Sequence, residues 1–195
     1  MLEKRTAGVA RRMKAVCPAL IYPASRWLLR ISGGTGWAEA VGTGLVLAVF
    51  GAFWFRMYRP EPVPGWKAFR TVLLYGTAGF AAGRLICLIP GAGGVPARDV
   101  PAVVLLCVLG PVCEEIVYRG LVFGAAERMD GFIPALILTT MLFAFGHGTV
   151  LQAALAVPVG LILGIVREKK GNLLAPAVLH ISLNAAALVY AAQAG

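Results

Sequence analysis

The sequence predicts an all-α protein, a polytopic transmembrane bundle of about six helices, with a seventh if one ambiguous amino-terminal stretch also crosses. Three observations carry this. The 195 residues are 59% hydrophobic and only 14% charged, against about 45–50% apolar and ~25% charged in ordinary soluble domains. Mean hydropathy is +0.80, an excess that a core this small cannot hide, so lipid must solvate much of the surface. The apolar residues fall in runs of helical length with no period-2 alternation, and in lipid only helices and closed barrels satisfy their own backbones.

The first run, Trp37–Phe55, is nearly uncharged, with Glu39 near its start. Ala68–Pro90 follows, with Arg70 at its head and Arg84 inside, and then Val100–Gly124, which contains Glu114, Glu115 and Arg119. Phe132–Val166 is too long for one crossing of ~20 residues. Gly146, Gly148, Pro158 and Gly160 punctuate it, so two helices are expected to turn near His147–Gly148. Asn172–Ala192 is the last run and holds His180 and Asn184. The intervening segments Met57–Lys67, Ala125–Gly131 and Arg167–Gly171 read as short loops, with no internal repeat and no second domain.

Arg56, Arg59, Arg128, Arg167, Lys169 and Lys170 cluster at those three loops. Alternation along the chain places all three on one side, and the positive-inside rule makes it the cytoplasmic one. Glu114, in the second half of its run, then lies nearer the cytoplasm. Residues 35–195 form the bundle. Residues 1–34 begin with a basic stretch, and the apolar AVCPALIY that follows is interrupted by Pro18 and Pro23. That segment resembles a signal peptide only loosely. It reads as a retained membrane-surface segment, or as a crossing at Ala15–Ile31, which would reconcile the basic amino terminus with the charge rule.

The net charge of +9 does not point to nucleic acid, because the basic residues sit between apolar runs and form no basic-aromatic platform. Cys17, Cys87, Cys107 and Cys113 form no CxxC pair and read as small core- or lipid-facing residues. Arg84 is expected to pair with a carboxylate of the third run or to snorkel; Tyr118 and Tyr190 read as packing or interfacial residues.

Ionisable groups inside a span cost about 2.5–3.5 kcal/mol each on insertion scales and ask for a reason. Both histidines of the chain lie in such runs. Glu115 and Arg119, four apart, share a helix face and can pair. Glu114 is rotated about 100° from Glu115 and points elsewhere. With no sequence-local cation it suits a general base, and His147 can share the proton of a water that Glu114 holds. His180 and Asn184 share a face and offer N–H donors to an oxyanion, while Phe143 lies one turn below His147. A water-activating pair beside an oxyanion hole implies amide hydrolysis.

These segments, Glu114-Glu115-x-x-x-Arg119, Phe143-x-x-x-His147 and His180-x-x-x-Asn184, resemble the EExxxR, FxxxH and HxxxN signature of the CPBP family, the CAAX-protease or Abi family of intramembrane proteases. The resemblance covers roughly residues 100–190. It implies a glutamate-dependent endopeptidase in which Glu114 and His147 activate water and His180 and Asn184 stabilise the oxyanion, with Glu115, Arg119 and Phe143 in support. It implies as substrate a peptide or membrane-anchored protein, cut at the bilayer of a bacterial cell membrane. The family is also labelled a metalloprotease, and Glu114, His147 and His180 are plausible zinc ligands. Lacking HExxH, the sequence favours chemistry without a cofactor. Two other classes remain: a non-catalytic membrane scaffold or immunity factor, and a proton-coupled carrier, for which the expected repeat symmetry is missing.

Overall fold

Six helices account for nearly all of what the computed structural model describes, which is residues 17, 21–22, 36–58, 60–92 and 99–194. They are α1 (Gly36–Tyr58), α2 (Gly65–Ile86), α3 (Val100–Asp130), α4 (Phe132–Phe145), α5 (Val150–Lys170) and α6 (Leu174–Ala194). There is no strand among the described residues. The reading of residues 1–34 as a surface segment or an extra crossing falls outside the described residues, apart from Cys17, Ile21 and Tyr22.

Four helices, α1, α3, α5 and α6, are long and apolar enough to cross a membrane. Their outward faces suit lipid: Trp37, Val41, Leu45, Val49 and Phe53 run down α1 at i, i+4 spacing and are 48–68% exposed. Stripes of that size on a soluble monomer would be a liability; here they mark an integral membrane protein. The expected turn near His147 is present, because α4 stops at Phe145 and α5 starts after Thr149, whose side chain accepts from Gln152 N and caps it.

Two expected boundaries are corrected. Ala125–Gly131 is not a loop: α3 continues to Asp130 and only Gly131, with φ +86°, turns the corner. Likewise α5 runs to Lys170 and ends on Gly171 in the left-handed conformation, with φ +66°. Glu114 therefore lies about midway along its helix, not towards the cytoplasmic end. The expected pairing of Arg84 with a third-run carboxylate is also absent, since Arg84 Nη1 donates to Gln193 Oε1 at 2.9 Å across to α6.

One end of the bundle gathers all three predicted basic loops. Arg128 donates to the Tyr58 hydroxyl at 2.7 Å, and Arg167 pairs with Glu127 at 3.0 Å. The ends of α1, α3 and α5 are thereby joined, as alternation along the chain requires. At the opposite end a Cβ on Gly36 would lie 3.1 Å from the Asp99 carboxylate, and one on Gly91 would lie 3.3 Å from Leu151.

Three Gly-x-x-x-Gly pairs set the helix spacing. A Cβ on Gly79 of α2 would stand 2.5 Å from the Leu179 carbonyl oxygen of α6, and one on Gly83 would stand 2.7 Å from Ala186. Gly120 and Gly124 of α3 receive Trp54 and Tyr58 of α1, each 2.8 Å from the would-be Cβ. Gly160 and Gly164 of α5 receive Thr140 and Leu136 of α4 in the same way. Backbones approach where side chains are missing, and that closeness brings the polar residues of α3, α4 and α6 into contact.

Candidate active site

The polar residues meet at one depth for reasons of register. Leu173, just before α6, packs beside Gly120 of α3. From that level α6 rises about 10 Å to His180, and α3, running the other way, covers about 8–9 Å to Glu115 and Glu114. Starting at Gly131 by the basic end, α4 climbs only 14 residues, about 21 Å, too short to cross a core about 30 Å thick. His147, just past its end, is thus held inside the layer.

The helix that carries the glutamates is not a regular α-helix. Leu105–Leu109 and Glu115–Val122 are π-helical, a widening that often accompanies function. The first has a local cause. Gly110 N donates to the Leu105 carbonyl, so the next π-register partner, for the Leu106 carbonyl, would be residue 111. That residue is a proline and has no N–H. The Leu106 oxygen is left for another donor, and Asn184 Nδ2 supplies it at 2.9 Å. Asn184 thus ties α6 to α3 at the turn before the glutamates, and one N–H of its amide is spent on that bond.

Glu115, Arg119 and His180 form the buried centre. Arg119 Nη1 lies 3.2 Å from Glu115 Oε1 with side-chain exposures of 0% and 1%. Arg119 also donates to the Gly160 carbonyl at 3.3 Å and lies over the Phe143 ring at 4.4 Å. His180 Nδ1 is 3.0 Å from the same Glu115 oxygen. A carboxylate in an ion pair only accepts, so Nδ1 carries the proton and Nε2 is turned to Glu114 Oε2, 3.8 Å away. The expectation that Glu115 merely neutralises Arg119 thus widens: it also orients the His180 ring.

Glu114 differs from its neighbour in access. Its side chain keeps 18% exposure against 1% for Glu115. Phe143 contacts both histidines, its ring T-shaped to His180 at 5.4 Å and to His147 at 4.9 Å. His147, partly exposed, donates through Nδ1 to the Phe143 carbonyl oxygen, 3.0 Å away. Among the described residues it is not within ion-pairing distance of either glutamate; the histidine that reaches both is His180. Cys87, Cys107 and Cys113 are buried and Cys17 is exposed.

Residues 96–186 match the family model described as Type II CAAX prenyl endopeptidase Rce1-like. This segment is similar to that family. The match takes in all three motifs, with α3, α4, α5 and the part of α6 up to residue 186, and it agrees with the CAAX-protease resemblance of the motifs themselves. No curated protein and no solved structure matches the chain.

Among the described residues, no three His, Cys, Asp or Glu side chains cluster so as to hold an ion. Glu114 and His180 adjoin, but Glu115 engages His180 Nδ1 and His147 Nδ1 is turned to its own helix. The side chains as arranged do not fit a three-ligand zinc site.

Sequence reasoning missed Tyr22. Its hydroxyl lies 3.3 Å from Glu114 Oε1 and 3.5 Å from the Gly110 carbonyl oxygen, yet it stands outside the matched segment and in no motif. It missed the glycine pairs as well, although their Gly-x-x-x-Gly spacing was a legible signal.

Proposed function

We propose that the chain is an intramembrane endopeptidase of the CAAX type that hydrolyses a peptide bond through a water activated by Glu114. The observation that carries this is the division between adjacent carboxylates: Glu115 is sealed with Arg119 and His180, while Glu114 stays reachable and still adjoins His180. A substrate carbonyl entering on the Glu114 side meets a base, and a base must be within reach of the proton it takes. Water oxygen bonds to the carbonyl carbon as its proton passes to Glu114. Collapse of the tetrahedral intermediate then breaks the C–N bond, and Glu114 returns that proton to the leaving nitrogen.

His147, also partly exposed, assists in holding the water in this reading. His180 Nε2 and the second N–H of Asn184 are the donors for the oxyanion, a term commonly worth about 2.7–4 kcal/mol per donor. Arg119 pairs with Glu115, which limits the cost of placing that carboxylate at this depth. The route proposed uses no metal. The substrate class is a peptide or membrane-anchored protein, with a prenylated CAAX protein the form that the family description suggests. The basic end of the bundle is placed in the cytoplasm, and the membrane is that of a bacterial cell.

The test is cleavage by purified wild type and Glu114→Ala of a quenched peptide library that includes a prenylated CAAX peptide, with and without a chelator. Wild-type cleavage that the variant loses by at least about a hundredfold, unaffected by chelator, is the expected result. Loss on chelation moves the chemistry to a metal. Full activity of Glu114→Ala in cells leaves a non-catalytic scaffold.

A further inference from the structure

Tyr22 is 2% exposed, so its hydroxyl must find a partner within the protein. Among the described residues it has two, Glu114 Oε1 at 3.3 Å and the Gly110 carbonyl oxygen at 3.5 Å. Both belong to α3 and both only accept while Glu114 is ionised, so the single hydroxyl proton is shared between them. The ring is seated by an edge contact with Tyr118, centroids 6.4 Å apart at 85°. Tyr118 in turn stands edge-on to Phe143 at 6.0 Å. An aromatic series thus runs from Tyr22 through Tyr118 and Phe143 to His147.

We propose that Tyr22 is a positioning residue for Glu114, holding the carboxylate by its Oε1 so that Oε2 stays directed at His180 and at the incoming water. The proposal rests on Glu114 as the base. Hydrogen bonds to an ionised acceptor are the stronger kind, so before proton transfer the hydroxyl favours Glu114. Once Glu114 has taken the proton of water, the hydroxyl turns to Gly110 and stays satisfied. Buried polar groups left unpaired are costly, and the second acceptor removes that cost from the proton-transfer step. The amino-terminal segment thereby contributes to a site whose other members all come from the family-matched segment.

The experiment is Tyr22→Phe in the full-length protein, assayed on whichever quenched peptide wild type cleaves fastest, beside Glu114→Ala. The expected result is a fall in kcat of about tenfold or more, the size of one hydrogen bond to a charged group, with KM within about twofold and the melting temperature unchanged. A merely structural tyrosine would lower the melting temperature, and its activity would return on cooling; that outcome overturns the proposal. So does wild-type kcat in Tyr22→Phe while Glu114→Ala is inactive, whereas an active Glu114→Ala sinks the Glu114 reading first and this one with it. A readout without substrate is the infrared carboxylate band that Glu114→Gln deletes. It should shift in Tyr22→Phe, and a band that stays in place refutes the contact.

Discussion

Glu115 and Arg119 lie four residues apart on α3, and their pairing was legible because that spacing puts two side chains on one helix face. The second partner of Glu115 was not legible: His180 is 65 residues away, and no local rule joins them. The consequence for stability is specific. Arg119→Met would leave Glu115 buried with its cation gone, and breaking such a pair by removing one member costs about 3–5 kcal/mol. The expected outcome is a marked fall in melting temperature and in yield, measured in detergent by the fluorescence of a thiol-independent dye. A variant as stable as wild type would show that the His180 contact alone suffices. Glu114→Ala, by contrast, removes a partly exposed carboxylate and should fold, so the two glutamates separate on stability as well as on activity.

Between helices, the absence of side chains decides where the present ones meet. Gly79 is the clearest case, because the atom its Cβ would strike is the Leu179 backbone oxygen, 2.5 Å away, adjacent in sequence to His180. A carbonyl in the middle of α6 cannot turn aside as a flexible side chain would. Gly79→Ala should therefore push α6 from α2, at an overpacking cost of about 1–3 kcal/mol, and lower kcat by moving His180 from Glu114. Gly44→Ala is the control, since nothing lies within 4 Å of its would-be Cβ. Equal activity and melting temperature in both variants would show that α6 is not seated by Gly79. At the same scale, α4 was foreseen only as one half of an overlong apolar run. Its 14 residues hold His147 within the layer, where a full-length span would have carried it to the far surface.

For the whole molecule, the joining of Tyr58, Arg128, Glu127 and Arg167 at one end agrees with the loop placement that alternation predicts. The excess of Lys and Arg there predicts that this end meets the cytoplasm. A cysteine at Lys169, exposed in the last turn of α5, should react with a membrane-impermeant maleimide only after the cell membrane is opened. One at Ala92, in the opposite connection, should react in intact cells. The reverse pattern would turn the bundle over and move access to Glu114 to the outside.

The sequence by itself determined that this is a helical membrane protein, because a chain so apolar has no other solvent and helices are self-sufficient in it. It also singled out a set of polar residues, because their cost in lipid makes them conspicuous, and the family that the motifs resemble. Roles within the set were another matter. That His180 spans both glutamates, that Asn184 is committed to a carbonyl freed by Pro111, and that Tyr22 reaches Glu114 were decided only by tertiary structure. Spacing along one helix fixes which residues share a face, whereas contacts between helices depend on register and approach, and here the register is set by glycines, where side chains are missing.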